Sequence, residues 1–506
     1  MQAPAGVPKS LLARFRHSAG PRPSLTREGA LLLALVSLDL ALINHAGYIS
    51  DLALIALGAT VAVLLISRSL PSGPPPTWLW AATVAALGLS LLLADFSAWP
   101  QGWPVWVYVL AALAAAALIT TGHDQVALVV ASIGALTFLA VTWRWNPSQI
   151  DVLFGLRSAG HALLHGANPY LVVHRSTTIG APPFVHFTYG PMVAVLAAVG
   201  LLFGDPRVIS VLAAAGLAAA LYRLAGSRCE GLRLAVTVCL APLMIAMVIN
   251  AWPMLLVIAG IAWWLVLRRT HRKASIIVLG LTMGCAPVQA GPLLLVLFLR
   301  SRRMMTEIVA AVGIGLVIVA CFALWTGVRR YWYYTIGIHF HGQVGTGSLS
   351  LAGILTLIGR HPLPGFLGIA VAGVVLAVVM VRPAQGPGGV LTDAAVVTIF
   401  AMFFAKFAFI DYYFVAYAAL WTALAAGTSD HARDWRPATS PGKTPSPRLA
   451  SAPAGTPAPG TAMFPSETHG VAPGSSTARM RDVRRNPASF RLIRRIGPPL
   501  HQRARE

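Results

Sequence analysis

The residues best suited to chemistry fall in one stretch, "RWNPSQIDVLFGLRSAGHALLHGANPYLVVHRSTTIGAPPFVHFTYGP", residues 144–191. Read as a helix over 149–165, it sets Asp151, Ser158, His161 and His165 within one ~80° sector, with Leu153, Leu156, Leu163 and Leu164 opposite. Such a helix lies along a membrane interface, its apolar face in lipid or bundle and its polar face toward a cavity. A carboxylate beside a hydroxyl and imidazoles suits proton transfer. Gly166 and then Asn168-Pro169 supply the helix stop. Asp151 also has an architectural reading. Ser148-Gln-Ile-Asp151 fits the capping-box spacing, in which the side chain accepts from a helix-start amide. Spacing alone leaves both readings open. His161 and His165 have the spacing of a metal pair, but no third ligand lies near in sequence, so no metal is expected.

A second polar segment is "TGVRRYWYYTIGIHFHGQVGTGSLSLAGILTLIGRH", residues 326–361. It holds Arg329, Arg330, His339, His341 and Arg360 beside the aromatic run Tyr331–Tyr334. Arginine offers a two-pronged donor to phosphate, which makes a lipid phosphate the natural ligand. The competing reading is an aromatic interfacial belt with snorkelling arginines. Lys406, Asp411, Tyr412 and Tyr413 stand where they would complete the same pocket. Asp39 lies inside the first apolar run, where a hydrogen-bonded polar residue or an ion relay is expected. HExxH, GxSxG and the phosphate-binding loop with its Lys are all missing from the sequence, which argues against an ATP-driven pump.

The elements that must position these residues follow from composition. Of 506 residues, 57% are hydrophobic and 11% charged, against about 25% charged in an ordinary soluble domain. That excludes a disordered chain, a disulfide scaffold and almost any soluble enzyme. Apolar stretches approaching the ~20 residues of a membrane crossing recur along most of the chain. The expected fold is all-α: a polytopic membrane helix bundle of about fourteen spans with outer-face juxtamembrane helices. Spans are expected near 29–46, 52–67, 78–94, 104–121, 126–143, 206–222, 234–250, 252–268, 274–287, 288–299, 304–326, 364–381, 391–407 and 409–427. Segment 190–204 reads as short and re-entrant, because this choice alone puts the multi-basic loops around Arg228, Arg269, Arg302 and Arg382 on the cytoplasmic side.

Both termini are then cytoplasmic, with loops 144–189 and 327–361 outside. The net charge of +22 records topology rather than nucleic-acid binding. Residues 1–28 form a basic cytoplasmic tail and 29–143 a five-span region. The region 144–427 carries the chemistry, and 428–506, rich in Pro, Ser, Thr and Ala, is expected to be a disordered basic cytoplasmic tail. The four cysteines are scattered and suggest neither a disulfide frame nor a metal site.

Four motifs in order, "LLHGANPY" with "TYGP", "GLTMGCAPVQAGPLLLVLFLRSRR", "YWYYTIGIHFHGQVGTGSLSLAGIL" and "FAKFAFIDYYFVAYAALWTAL", resemble the GT-C glycosyltransferases. The chain is most similar to the family 87 mannosyltransferases of actinobacteria, over about 146–427. The resemblance implies a GT-C-like bundle that moves a sugar, usually mannose, from a polyprenyl-phosphate donor to an envelope glycolipid or polysaccharide on the outer face of the plasma membrane. It implies Asp151 as the general base and His339 or His341 as the late-loop histidine. Arg329, Arg330, His161, His165, Asn168, Tyr170, Gln289, Lys406 and Asp411 become substrate-binding candidates. Gln289 stands where the family commonly has Lys, and Gly190-Pro191 where it has a double-Pro turn. Partners are then the donor, the acceptor and membrane lipids, with no cofactor and no nucleic acid. A transporter or flippase for lipid-linked sugars, or a non-catalytic envelope-assembly protein, is the alternative.

Overall fold

Apolar runs punctuated by Pro, Gly and charge fold as helices, nineteen α-helices among the described residues. The computed structural model describes residues 25–44, 50–94, 102–145, 151–175, 184–285, 287–300, 302–337, 348–361, 366–381, 386–405 and 410–427. Of the expected tails, 428–506 and residues 1–24 of 1–28 lie outside them, whereas Arg27 and Glu28 are buried in the first turn of a helix rather than part of a tail. First come α1 (Arg27–Ile43), α2 (Asp51–Ser67), α3 (Thr77–Ser90), α4 (Trp103–Thr120) and α5 (Asp124–Trp145). Then α6 (Asp151–Leu164) leads through β1 (Val173–Arg175) and β2 (Phe184–His186) to α7 (Pro191–Leu202). The strands pair antiparallel, with Val173 opposite His186, and this ribbon amends the all-α expectation.

Next are α8 (Arg207–Leu224), α9 (Arg228–Cys239), α10 (Pro242–Ile249), α11 (Met254–Leu267), α12 (Arg272–Met283), α13 (Pro287–Arg300) and α14 (Arg302–Thr326). The last group is α15 (Val328–Trp332), a π-helical turn (Tyr333–Gly337), α16 (Leu351–Leu357), α17 (Leu367–Val381), α18 (Gly386–Phe403) and α19 (Ile410–Gly427).

The helices are of membrane type. Among the described residues, four are long and apolar enough to cross a bilayer: Trp103–Thr120, Asp124–Arg144, Arg207–Leu224 and Met304–Thr326. The pair α9 and α10 makes a fifth if taken as one span, although it bends by 56°. The sequence predicts a span near 234–250, and the structure breaks this stretch in two. Pro242 has no N–H to continue the ladder, so the helix stops at Cys239 and restarts. Shorter apolar helices of 10–17 residues make up much of the remainder. Close approach is made by small residues: a Cβ on Gly88 or Gly134 would run into Ala112 or Ala111 of α4, the small-on-small contact that membrane helices use.

Charged residues pair where helix ends meet. Arg27 bonds Glu28, whose other oxygen accepts from Gly73 N at 2.9 Å. Asp393 of α18 is shared by Arg68 of α2 (3.2 Å) and Arg300 of α13 (3.0 Å). Arg233 of α9 reaches Asp124 of α5 at 2.9 Å, and Glu307 of α14 takes Arg268 (3.1 Å) and Arg272 (3.3 Å). Except for Arg272, these side chains are largely buried, so removing one partner would strand a charge at a cost of about 3–5 kcal/mol. Asp39, which has no evident partner in the sequence, accepts from Ser90 Oγ at 3.0 Å and Tyr417 OH at 3.1 Å. It ties α1 to α3 and α19.

Candidate functional site

Asp151 opens α6; its side chain, and the residues of the expected capping box before it, lie outside the described residues. The rest of α6 is divided as an amphipathic helix should be. Val152, Leu153, Leu156 and Ala159 are buried. Gly160 faces the backbone of Ala197 and Ala198 in α7, and Gly155 faces the His174 ring of β1, both too closely for a larger residue to fit without a shift. Leu164, on the side opposite Asp151, is exposed, as a residue on the lipid-facing part of that apolar face would be. The helix ends as anticipated. Gly166 takes φ 71°, and Ala167 N bonds Ala162 O at 2.8 Å with Gly166 N on Leu163 O at 3.0 Å, a Schellman closure.

The polar side of α6 borders an open groove of about 490 Å3, lined by Arg157, Ser158, His161, His165 and small or apolar neighbours. The two imidazoles stand 6.4 Å apart between ring centres, and both residues are exposed. Arg157 was not singled out by the sequence. Its guanidinium bonds Asp205 at 2.9 Å, which also receives Arg207 Nη2 at 2.8 Å and Arg207 backbone N at 2.9 Å. Arg207 lies over the Trp143 ring at 4.1 Å. Burial pushes the Asp205 carboxyl up, but the hydrogen bonds and charge of Arg207, with Arg157, outweigh it and hold the group below the usual carboxylate range. Asp205 therefore stays ionised and holds Arg157 at the groove's edge.

Asn168 and Tyr170, expected to bind substrate, are both buried and spend their polar atoms on the protein itself. Asn168 Oδ1 accepts from Tyr170 N at 2.9 Å, and its Nδ2 donates to Thr326 Oγ1 at 3.1 Å. Tyr170 OH donates to Tyr189 O at 2.8 Å. Its ring meets Tyr331 edge-on at 4.9 Å and Phe187 at 5.5 Å. Each such ring pair contributes about 0.5–1.5 kcal/mol beyond burial. Burial, with Tyr331 beside it, pushes the Tyr170 phenol well above its ordinary value, so it serves as a neutral donor. These contacts join the loop after α6 to the end of α14 and to α15.

His186 is a residue the sequence reading missed. Its Nδ1 donates to Tyr170 O at 3.1 Å, which leaves Nε2 for other chemistry, and its ring stacks on Tyr334 at 4.0 Å. Strand register and the π-helical turn bring the two together, and neither leaves a spacing signal. The Tyr189-Gly190-Pro191 turn docks between α12 and α13. Gly190 N bonds Cys285 O at 2.9 Å and Met192 N bonds Gly284 O at 3.0 Å.

Arg329 and Arg330 are exposed on α15, on the same element as Tyr331. Gln289 and Asp411 fall within α13 and α19, with side chains outside the description. His339, His341 and Lys406 lie outside the described residues altogether. Among the described residues, no three His, Cys, Asp or Glu side chains group to hold a metal ion. Compared with protein-family models, curated proteins and solved structures, the chain matches none.

Proposed function

We propose that this chain is an integral-membrane glycosyltransferase of GT-C type. It transfers a sugar, mannose in the closest reading, from a polyprenyl-phosphate donor to an envelope glycolipid or polysaccharide on the outer face of the plasma membrane. The observation that carries the proposal is the union of two polar segments about 160 residues apart. The loop behind α6 is fastened to α14 and α15 through Asn168–Thr326 and Tyr170–Tyr331. The helix that begins at Asp151 and the arginines of α15 thus belong to one assembly.

In the proposed reaction, an acceptor hydroxyl attacks the anomeric carbon and its proton passes to the Asp151 carboxylate. The bond between that carbon and the lipid phosphate oxygen breaks, and polyprenyl phosphate leaves with the electron pair. Arg329 and Arg330 stabilise the departing charge. The donor arrives through the membrane, so no nucleotide site is needed. Incubation of the purified chain with labelled polyprenyl-phosphate sugars and envelope glycolipids tests the activity. Absence of transfer from every such donor would overturn it. The Arg329→Gln/Arg330→Gln protein is expected to bind donor more weakly by about 1.5–3 kcal/mol per lost charge-assisted bond, with acceptor binding little changed. Unchanged donor affinity would return both arginines to an interfacial belt.

The proposed topology has about fourteen crossings: α1–α5, α8, α9 with α10, α11–α14 and α17–α19, starting and ending in the cytoplasm. The ion pairs support it. Under this alternation the pairs around Glu28, Asp124, Glu307 and Asp393 all join cytoplasmic helix ends. The Arg157–Asp205–Arg207 group and the Asn168–Thr326 bond join outer ones. Cys229 is exposed and serves as an internal probe. An impermeant maleimide applied outside should modify an Arg175→Cys protein at position 175 and spare Cys229. The reverse pattern would sink the topology.

A further inference from the structure

Arg157, His161 and His165 follow one another at intervals of four along α6 and its C-terminal cap, which places them in one row on the helix surface. All three line the open groove of about 490 Å3, a size within the range of small-molecule clefts, about 300–1,000 Å3. Among the described residues, no carboxylate lines it. The nearby acid, Asp205, faces two guanidiniums, from Arg157 at 2.9 Å and Arg207 at 2.8 Å, so this group keeps an excess of positive charge.

Donor geometry narrows the ligand. His165 Nδ1 donates to the His161 carbonyl at 2.8 Å, which fixes its proton there and leaves Nε2 for a ligand. The imidazole rings are 6.4 Å apart, a gap that one tetrahedral oxyanion bridges by using a different oxygen for each ring. Arg157 uses Nη2 on Asp205, and a guanidinium has five N–H groups in all. Arg157 and an imidazole N–H of His161 can donate to phosphate oxygens, and the P–OH of a phosphate or phosphomonoester monoanion can donate to His165 Nε2, so one group engages all three.

We propose that this groove is a seat for a phosphate group, held by Arg157, His161 and His165. None of its lining residues belongs to α15, and the seat does not depend on the transferase reading, since a flippase or an inactive chain would carry it too. A phosphate reaches the groove on a lipid headgroup or free in solution, and the test separates the two sources.

The full chain in phosphatidylcholine nanodiscs is titrated calorimetrically with inorganic phosphate and, separately, with a short-chain isoprenyl monophosphate. Binding of both, or of inorganic phosphate alone, supports a seat open to the soluble anion. Binding of the isoprenyl ester alone, weakened by His161→Gln/His165→Gln and retained in Arg329→Gln/Arg330→Gln, supports a seat for a lipid headgroup in this groove rather than on α15. His161→Gln/His165→Gln should weaken whichever probe binds by at least about tenfold, the lower end of one lost charge-assisted hydrogen bond. Both histidines are exposed, so an unchanged unfolding midpoint is expected and serves as the folding control. Arg157→Lys keeps the charge opposite Asp205 but removes the two-pronged donor, and should also weaken binding. Wild-type protein that binds neither probe, or a folded double-histidine variant with wild-type affinity, overturns the proposal.

Discussion

On the proposed transferase reading, the Asp151→Asn protein is expected to insert and bind donor like the wild type while transferring sugar about 10²–10⁴-fold more slowly, the usual cost of removing a general base. Asp151 is the first residue of α6, where helix-end amides favour a negative charge. A helix N-terminus favours the charged form of a carboxylate, as a base requires, and equally suits a residue that only caps the helix. The substitution separates the two roles. Asparagine is nearly the same size and its amide oxygen still accepts from a backbone N–H, so capping survives. It cannot take up the acceptor's proton at neutral pH. Turnover of a labelled donor, with gel filtration to verify folding, reads the difference. Transfer at the wild-type rate would remove Asp151 from the mechanism and put the flippase reading ahead.

Replacing Gly190 with Ala should destabilise the bundle by about 2–5 kcal/mol, from overpacking and two weakened backbone hydrogen bonds. A Cβ there would collide with the carbonyl oxygens of Gly284 and Cys285. Both are main-chain atoms at the gap between α12 and α13, so neither can rotate aside as a side chain could. The same carbonyls accept from Met192 N and Gly190 N, and any shift that admits the methyl group lengthens those bonds. Gly313 in α14 is the matched control, because nothing stands within 4 Å of a Cβ added there. Thermal unfolding in detergent should show a clear drop in midpoint for Gly190→Ala and none for Gly313→Ala. Equal midpoints would mean that the docked turn contributes little to stability.

Much of the helical layout was legible because its boundaries are written in local chemistry. Pro191 starts α7 and Gly166 ends α6. The apolar run 304–326 appears as α14, and the short pair around Pro287 as α12 and α13. The bend before Pro242 was less visible, since averaged hydropathy passes over a break that leaves the apolar character intact. The candidate site was legible as a polar helix face but not in its partners. Arg157 falls about 40° outside the sector drawn from Asp151, and its acid lies 48 residues away. His186 depends on strand register, and Asn168 reads as a turn residue until Thr326, 158 residues later, is beside it. Asp39 illustrates the same limit: Tyr417 bonds it across 378 residues, a separation that no local pattern encodes.

That long-range bond has a consequence for biogenesis. Among the described helices, α1 is joined to α19, which is synthesised only after all the helices between them. A nascent chain stopped before residue 393 also lacks the carboxylate shared by Arg68 and Arg300. Early helices therefore wait in the bilayer with polar groups whose final partners have not yet been made, and they depend on lipid headgroups, water or an insertion chaperone in the meantime. A premature stop within α18 or α19 therefore removes the partners of groups in α1 and α2.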